Sequence, residues 1–228
     1  MKSTRMRKTQ RKLVSNKKKS GMNAFDMKLN SFLTRLFKLD ERLSQDFSLC
    51  ATPDSRLGYL RPLMKLLEIS CHGIPWLLGT VIIFVCVHKP EDVEILVNLF
   101  FVLIFDLICV GLVKILVRRE RPAINKMDMF ATVSIDLFSF PSGHTTRAAM
   151  LAWFFTDKIF TSYISSYAVV VWAIAVACSR VLLGRHHVSD VAAGFLMGLL
   201  EYYVYLKMWV PREMCLEWLE PYFGHVHL

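Results

Sequence analysis

The stretch VEILVNLFFVLIFDLICVGLVKILV, Val93 to Val117, decides the class of fold. As an α-helix rising about 1.5 Å per residue, it is long enough to cross the roughly 30 Å hydrocarbon core of a bilayer. Similar segments lie on both sides of it. Ile74 to Val87 is short for a span unless MKLLEISCHG ahead of it continues the helix, which would leave Pro75 inside as a kink. Further segments run from near Thr145 to the TDK at 156–158, from about Tyr163 to Leu183, and from about Val188 to Trp209. Hydrophobic residues make up 54% of the chain and the mean hydropathy is +0.38. Together these features predict an all-α integral membrane bundle of about five spans over residues 60–210.

The flanks are of different material. Residues 1–23 carry Lys2, Arg5, Arg7, Lys8, Arg11, Lys12, Lys17, Lys18 and Lys19 with no acidic residue, a composition that cannot bury a core. These nine cations equal the net charge of +9. Ahead of membrane spans, such a tail marks the cytosolic side and attracts anionic lipid, and nucleic acid is not expected as a partner. The segment 24–59 begins with Phe25, Leu29, Phe32, Leu33, Leu36 and Phe37 at helical spacing, interleaved with charge. It reads as an amphipathic helix lying on the membrane surface or against the bundle. No signal peptide is expected, because the basic tail leads into polar sequence. Residues 211–228 read as a C-terminal tail.

Six cysteines show no metal-ligand spacing and read as small buried hydrophobes. His187 beside His186 does not make a metal pair, since neighbours point to different sides of a helix and no ligand cluster completes them. No metal and no cofactor is expected. Asp106 and Glu201 lie inside spans, where a carboxylate is costly; they read as bundle-facing hydrogen-bonding groups rather than catalytic ones.

The polar connections are more informative. One joins Val117 to Thr145 and another joins Leu183 to Val188, so a chain that reverses at each span brings both to one face. The positive-inside tendency of Arg118, Arg119, Arg121, Lys126, Arg147 and Arg185 makes that face cytosolic. Single cations such as Lys114, Arg118 and Arg119 can also anchor a helix end by snorkelling.

Three clusters meet on this face: Lys114 with Arg121 and Pro122; Ser142, Gly143 and His144 after Pro141; and Ser179 and Arg180 followed by His186 and Asp190. This inventory suits a phosphate ester. Arg121 and Arg180 can grip a phosphoryl group through planar forks, and Lys114 adds a compact charge. The Ser142 hydroxyl and Gly143 N–H stand at a helix start, where the dipole favours an anion. His186 and Asp190 are four residues apart, which on a helix puts both on one face. The carboxylate could then fix the imidazole tautomer and leave the other nitrogen to attack phosphorus. His144 is the candidate general acid, and later the base for water.

At these residues the chain resembles the type 2 phosphatidic acid phosphatase family, membrane lipid phosphatases related to vanadium haloperoxidases. The family pattern K-x6-R-P, P-S-G-H and S-R-x5-H-x3-D is matched by Lys114–Pro122, Pro141–His144 and Ser179–Asp190. The resemblance implies a helical membrane fold and a metal-independent phosphatase with His186 as nucleophile, Asp190 as its partner and His144 as proton donor. It also implies phosphate contacts from Lys114, Arg121, Ser142, Gly143, Arg180 and, more weakly, Ser179. The stretches EISCHGIPW (68–76) and LVRRERPAINKMDMFATVSIDLFSFPSGHTTRAA (116–149) resemble members acting on polyisoprenoid diphosphates. That implies farnesyl, geranylgeranyl and presqualene diphosphate as substrates, in the endoplasmic reticulum and nuclear envelope. Glycerolipid or sphingolipid phosphates are the alternative substrates. A catalytically silent nuclear-envelope scaffold is the alternative from another class, against which the intact His144, Arg180, His186 and Asp190 argue.

Overall fold

The computed structural model describes residues 23–86, 89–129 and 137–223, and every regular element among them is helical. The helices are α1 (Ala24–Asp46), α2 (Arg61–Ser70), α3 (Gly73–Cys86), α4 (Pro90–Val117), α5 (Gly143–Lys158), α6 (Tyr163–Leu182), α7 (Val188–Tyr205) and α8 (Arg212–Phe223). The described residues up to Arg42 form one unit and those from Leu43 onward another. In the first, α1 is the amphipathic helix expected, with Leu29, Phe32, Leu33, Leu36 and Phe37 exposed. The basic tail lies outside the described residues apart from Asn23.

Within the second unit α5 is the central helix. Thr145 to Ala152 and Phe154 are all buried, and its most extensive contacts are with α7 and α6. The α5–α7 contact depends on two glycines. A Cβ at Gly198 would stand 2.2 Å from the Thr146 carbonyl oxygen, and one at Gly194 would stand 2.8 Å from that of Ser142. Only a residue without a side chain lets the backbones approach so closely, the usual basis of helix association where lipid removes the hydrophobic drive. A core of Leu99, Val102 and Leu103 of α4, Met150, Leu151 and Phe154 of α5, and Tyr202 and Tyr205 of α7 completes the seam. Leu112, Leu116, Ile164, Leu196 and Leu200 face outward, as lipid-facing residues should.

The span count differs from the five expected. Among the described residues three helices are long and apolar enough to cross a membrane, Asp92–Val117, Tyr163–Leu182 and Val188–Met208, and a fourth is added if the bent pair Gly58–Ser70 and Gly73–Cys86 counts as one span. With 16 residues, α5 reaches only about 24 Å, short of the hydrocarbon thickness. Its sequence looked like a span because it is apolar, yet most of its apolar side chains are buried by protein, with Trp153 exposed.

The kink expected at Pro75 lies three residues earlier. α2 and α3 are bent by 49° at Cys71 and His72. Pro75 falls in the first turn of α3, where a missing N–H removes no helical hydrogen bond. The carbonyls freed at the break find donors: Ser70 O accepts from Trp76 Nε1 at 2.9 Å and Cys71 O from Arg147 Nη1 at 3.2 Å. At the other end of the chain, Arg212–Phe223 is helical where a tail was expected. Cys215 is fully buried, and Trp218 meets Phe101 of α4 with ring centroids 6.5 Å apart.

Candidate active site

Two backbone turns assemble the site. α4 ends where Arg118 takes a left-handed conformation, φ 50°, at a cost of about 1 kcal/mol for an L-residue. Its Nε returns to the Ile115 carbonyl at 2.8 Å. This turn sends Arg119 and Arg121 off the helix axis and towards the α6–α7 connection. There Gly184, φ +66°, makes the second turn, and a Cβ on it would come within 2.7 Å of Ile124. The Arg185 and His186 amides both donate to the Arg180 carbonyl, at 2.9 and 3.3 Å, which folds His186 back over the end of α6.

The result is a cavity of about 290 Å³ lined by Lys114, Arg121, Gly143, His144, Arg147, Arg180 and His186, with His72, Ile74, Leu77, Leu107 and Val110 among its other walls. All three sequence clusters contribute to it, so the two polar connections do share one face.

His186 is buried, and its Nδ1 lies 2.8 Å from the Ser139 carbonyl. A carbonyl only accepts, so Nδ1 carries the proton and Nε2 holds the lone pair. Nε2 is 3.5 Å from Arg121 Nη1, which also donates to the Arg185 carbonyl at 3.0 Å. Burial first, and then the charge of Arg121, hold the ring's pKa well below the ordinary histidine range. Both effects favour the neutral ring, with its Nε2 lone pair unprotonated.

The direct His186–Asp190 pairing expected from their spacing is not made. Their closest atoms are 3.9 Å apart, because His186 precedes α7 and the two do not share a helical face. Asp190 Oδ2 instead accepts from the His187 amide at 2.8 Å and His187 Nδ1 at 3.1 Å, and from the Ser139 hydroxyl. Arg119 Nη1 meets Oδ1 at 2.6 Å. Asp190 thus fixes Ser139, whose carbonyl fixes His186. Sequence reasoning gave Arg119 only an anchoring role and Ser139 none; neither contact has a spacing that could reveal it.

Arg180 is fully buried, with Glu68 Oε2 at 3.3 Å from Nη1. Its Nε and Nη2 have no hydrogen-bond acceptor among the described residues, and neither has His144 Nε2 a partner there. Each such buried group costs about 1–3 kcal/mol unless satisfied. A cavity lined by groups of this kind is prepared for an anion that brings the acceptors. Glu68 also lies 3.4 Å from Arg185, which pairs at 2.8 Å with Asp128. Burial alone would raise the Asp128 pKa, but hydrogen bonds from Lys65 and Arg61 and the charge of Arg185 carry it well below the carboxylate range. Asp128 thereby ties the loop after α4 to α2.

Two expected phosphate contacts lie off the cavity. Ser142 is completely buried, its Oγ accepting from Thr145 Oγ1 at 3.0 Å and its amide donating to Asp190 O at 3.1 Å. The Ser179 hydroxyl donates to Val176 O at 2.6 Å, within its own helix. Asp106 pairs as expected, accepting from Arg147 Nη2 at 2.6 Å with both side chains buried. Glu201 lies beside Asp106, and neither of its oxygens has a donor among the described residues.

The chain is similar to several known proteins. The family model described as PAP2 superfamily matches residues 95–213. The chain is 38% identical over 138 residues to "Probable lipid phosphate phosphatase beta" of Arabidopsis thaliana, covering 50% of this chain and 65% of that protein. It is 36% identical over 98 residues to "Phosphatidylglycerophosphatase B" of Bacillus subtilis (strain 168), covering 39% and 45% respectively. The chain thus spans less than two thirds of the length of either relative. The crystal structure of a transmembrane PAP2 type phosphatidylglycerolphosphate phosphatase from Bacillus subtilis superimposes with a TM-score of 0.55 at 26% identity, over 76% of this chain and 86% of that one. With just over half of the sequence matched by the family model and all three motifs contributing to one cavity, the chain belongs to the PAP2 superfamily.

Proposed function

We propose that this protein is a membrane lipid phosphatase that transfers a phosphoryl group to His186 and then to water, and that its substrates are polyisoprenoid diphosphates. The observation that carries the reading is the set of buried Arg180 donors and His144 Nε2, without acceptors among the described residues, around the same cavity as His186. Lys114, Arg121, Arg180 and the Gly143 amide hold the phosphoryl oxygens. Nε2 of His186 forms a bond to phosphorus while the bond to the leaving oxygen breaks, and His144 gives that oxygen its proton. His144 then takes a proton from water as the water oxygen attacks phosphorus, the P–N bond breaks, and inorganic phosphate departs with His186 restored. Asp190, Ser139 and Arg119 keep the imidazole in the required tautomer throughout. The cations meet the developing charge, so activity is expected to persist in EDTA.

The isoprenoid reading is supported by the resemblance of residues 68–76 and 116–149 to members with such substrates, and by an apolar wall of Ile74, Leu77 and Leu107 for the hydrocarbon. A second reading, glycerolipid monophosphates, is favoured by the name of the Bacillus subtilis relative, a phosphatidylglycerophosphatase. Comparing initial rates on farnesyl diphosphate and phosphatidate in mixed micelles separates them, with His186→Ala as the inactive control. A clear preference for phosphatidate overturns the isoprenoid reading. The expected setting is the endoplasmic reticulum and nuclear envelope, with the site facing the cytosol and the basic tail against anionic lipid.

A further inference from the structure

The stretch EISCHGIPW has one polar side chain whose place in the site the chemistry above leaves unexplained. We propose that His72 is a specificity-determining residue that donates a hydrogen bond to the second phosphate of a diphosphate substrate. The inference rests on the reading of the cavity as a phosphoryl-transfer site for diphosphates.

His72 occupies the break between α2 and α3, and the 49° bend there turns it into the cavity wall beside Ile74 and Leu77. The bend is clamped from outside the pair. Arg147 reaches the Cys71 carbonyl, and its guanidinium lies 3.2–3.3 Å from where a Gly73 Cβ would be, so a side chain there would press on the clamp. The His72 ring stands edge-on to that of His144, with centroids 5.8 Å apart. Its Nδ1 accepts from the Ile74 amide at 3.3 Å, so in the neutral ring the proton is on Nε2, which makes that nitrogen a donor.

Position supplies the role. His144 must stand at the leaving oxygen, and the His72 ring lies 5.8 Å from the His144 ring in the same cavity, close in sequence to the Ile74 and Leu77 of the apolar wall. In a diphosphate, the group beyond that oxygen is the second phosphate; in a monophosphate, it is carbon. A donor placed there recognises the first and has nothing to bind in the second. Losing one hydrogen bond to an anion is worth about tenfold or somewhat more.

The test compares kcat/KM for farnesyl diphosphate and farnesyl monophosphate in the full-length protein. His72→Leu should lower the diphosphate value about tenfold or more and the monophosphate value less than about threefold. His72→Gln, which keeps a donor of similar reach, should restore most of the preference. The same split should appear without turnover, as weaker inhibition by inorganic pyrophosphate with inhibition by phosphate unchanged. Equal losses on both substrates at an unchanged melting temperature, or no loss on either, overturn the inference while leaving the phosphatase reading intact. If His72→Leu does not fold, the inhibition ratio in His72→Gln and His72→Ala decides in the same way. Failure of the unaltered protein to hydrolyse farnesyl diphosphate overturns the substrate reading and this inference together.

Discussion

At the scale of single residues, the imidazole of His186 is held by a relay. Arg119 fixes Asp190, Asp190 fixes the Ser139 hydroxyl, and the Ser139 carbonyl takes the Nδ1 proton. Arg119→Ala should therefore lower kcat on the order of tenfold or more with KM little changed, since outer-shell partners of this kind typically matter by 10–100-fold. Steady-state kinetics check this, and a rise in KM alone would mean that Arg119 binds substrate instead. The pH dependence has a definite sign. Burial and Arg121 hold the His186 pKa down, so the basic nucleophile survives acidification and the acid limb of kcat/KM lies below the usual value of about 6.5. Removing the positive charge in Arg121→Gln raises the pKa of the ring and should move that limb to higher pH. A limb that stays or moves lower contradicts the arrangement. The sequence made Lys114, Arg121, His144, Arg180 and His186 legible, because each is fixed by its spacing from a motif partner. Ser139, Arg119 and Glu68 were not legible in these roles, because each acts through a contact across the fold.

At the scale of elements, the active site depends on how closely α7 approaches α5. Gly194 and Gly198 set that distance, and the contact at Ser142 O is one residue from Gly143. Gly198→Val would drive a side chain into the Thr146 carbonyl and is expected to cost about 1–3 kcal/mol or more. It should appear as a lower melting temperature in detergent; an unchanged value would mean the helices can separate freely. The buried Arg147–Asp106 pair makes a sharper prediction. Asp106→Leu leaves a guanidinium uncompensated and should cost about 3–5 kcal/mol, whereas Glu201→Gln, which keeps a hydrogen-bonding group beside Asp106, should cost much less. Equal costs would mean that Glu201 carries the charge balance. The helices themselves were readable from apolar run length, and Asp106 from its cost in lipid. What run length could not distinguish is whether protein or lipid covers an apolar helix. α5 is the case in point: protein covers most of it, and its 16 residues leave it out of the span count by length. The bend between α2 and α3 was read at Pro75 because proline is the usual cause, but it sits at Cys71 and His72, where Arg147 and Trp76 satisfy the carbonyls.

At the scale of the whole molecule, a helical bundle brings residues from five segments of sequence to one cavity and gives that cavity an apolar wall. The chemistry proposed for it is phosphoryl transfer, and the membrane orientation decides which substrate pool it would reach. An engineered glycosylation acceptor placed between residues 125 and 136 should remain unmodified in microsomes if that face is cytosolic; glycan addition there would put the site in the lumen. The central claim is that a covalent phosphoryl group forms on His186. Rapid quenching of the purified protein with terminally labelled farnesyl diphosphate in EDTA, followed by peptide mapping, tests it most directly. The account predicts an acid-labile, base-stable label on His186 that is lost in His186→Ala together with turnover. Undiminished hydrolysis in His186→Ala, or turnover with the label on another residue, would contradict it.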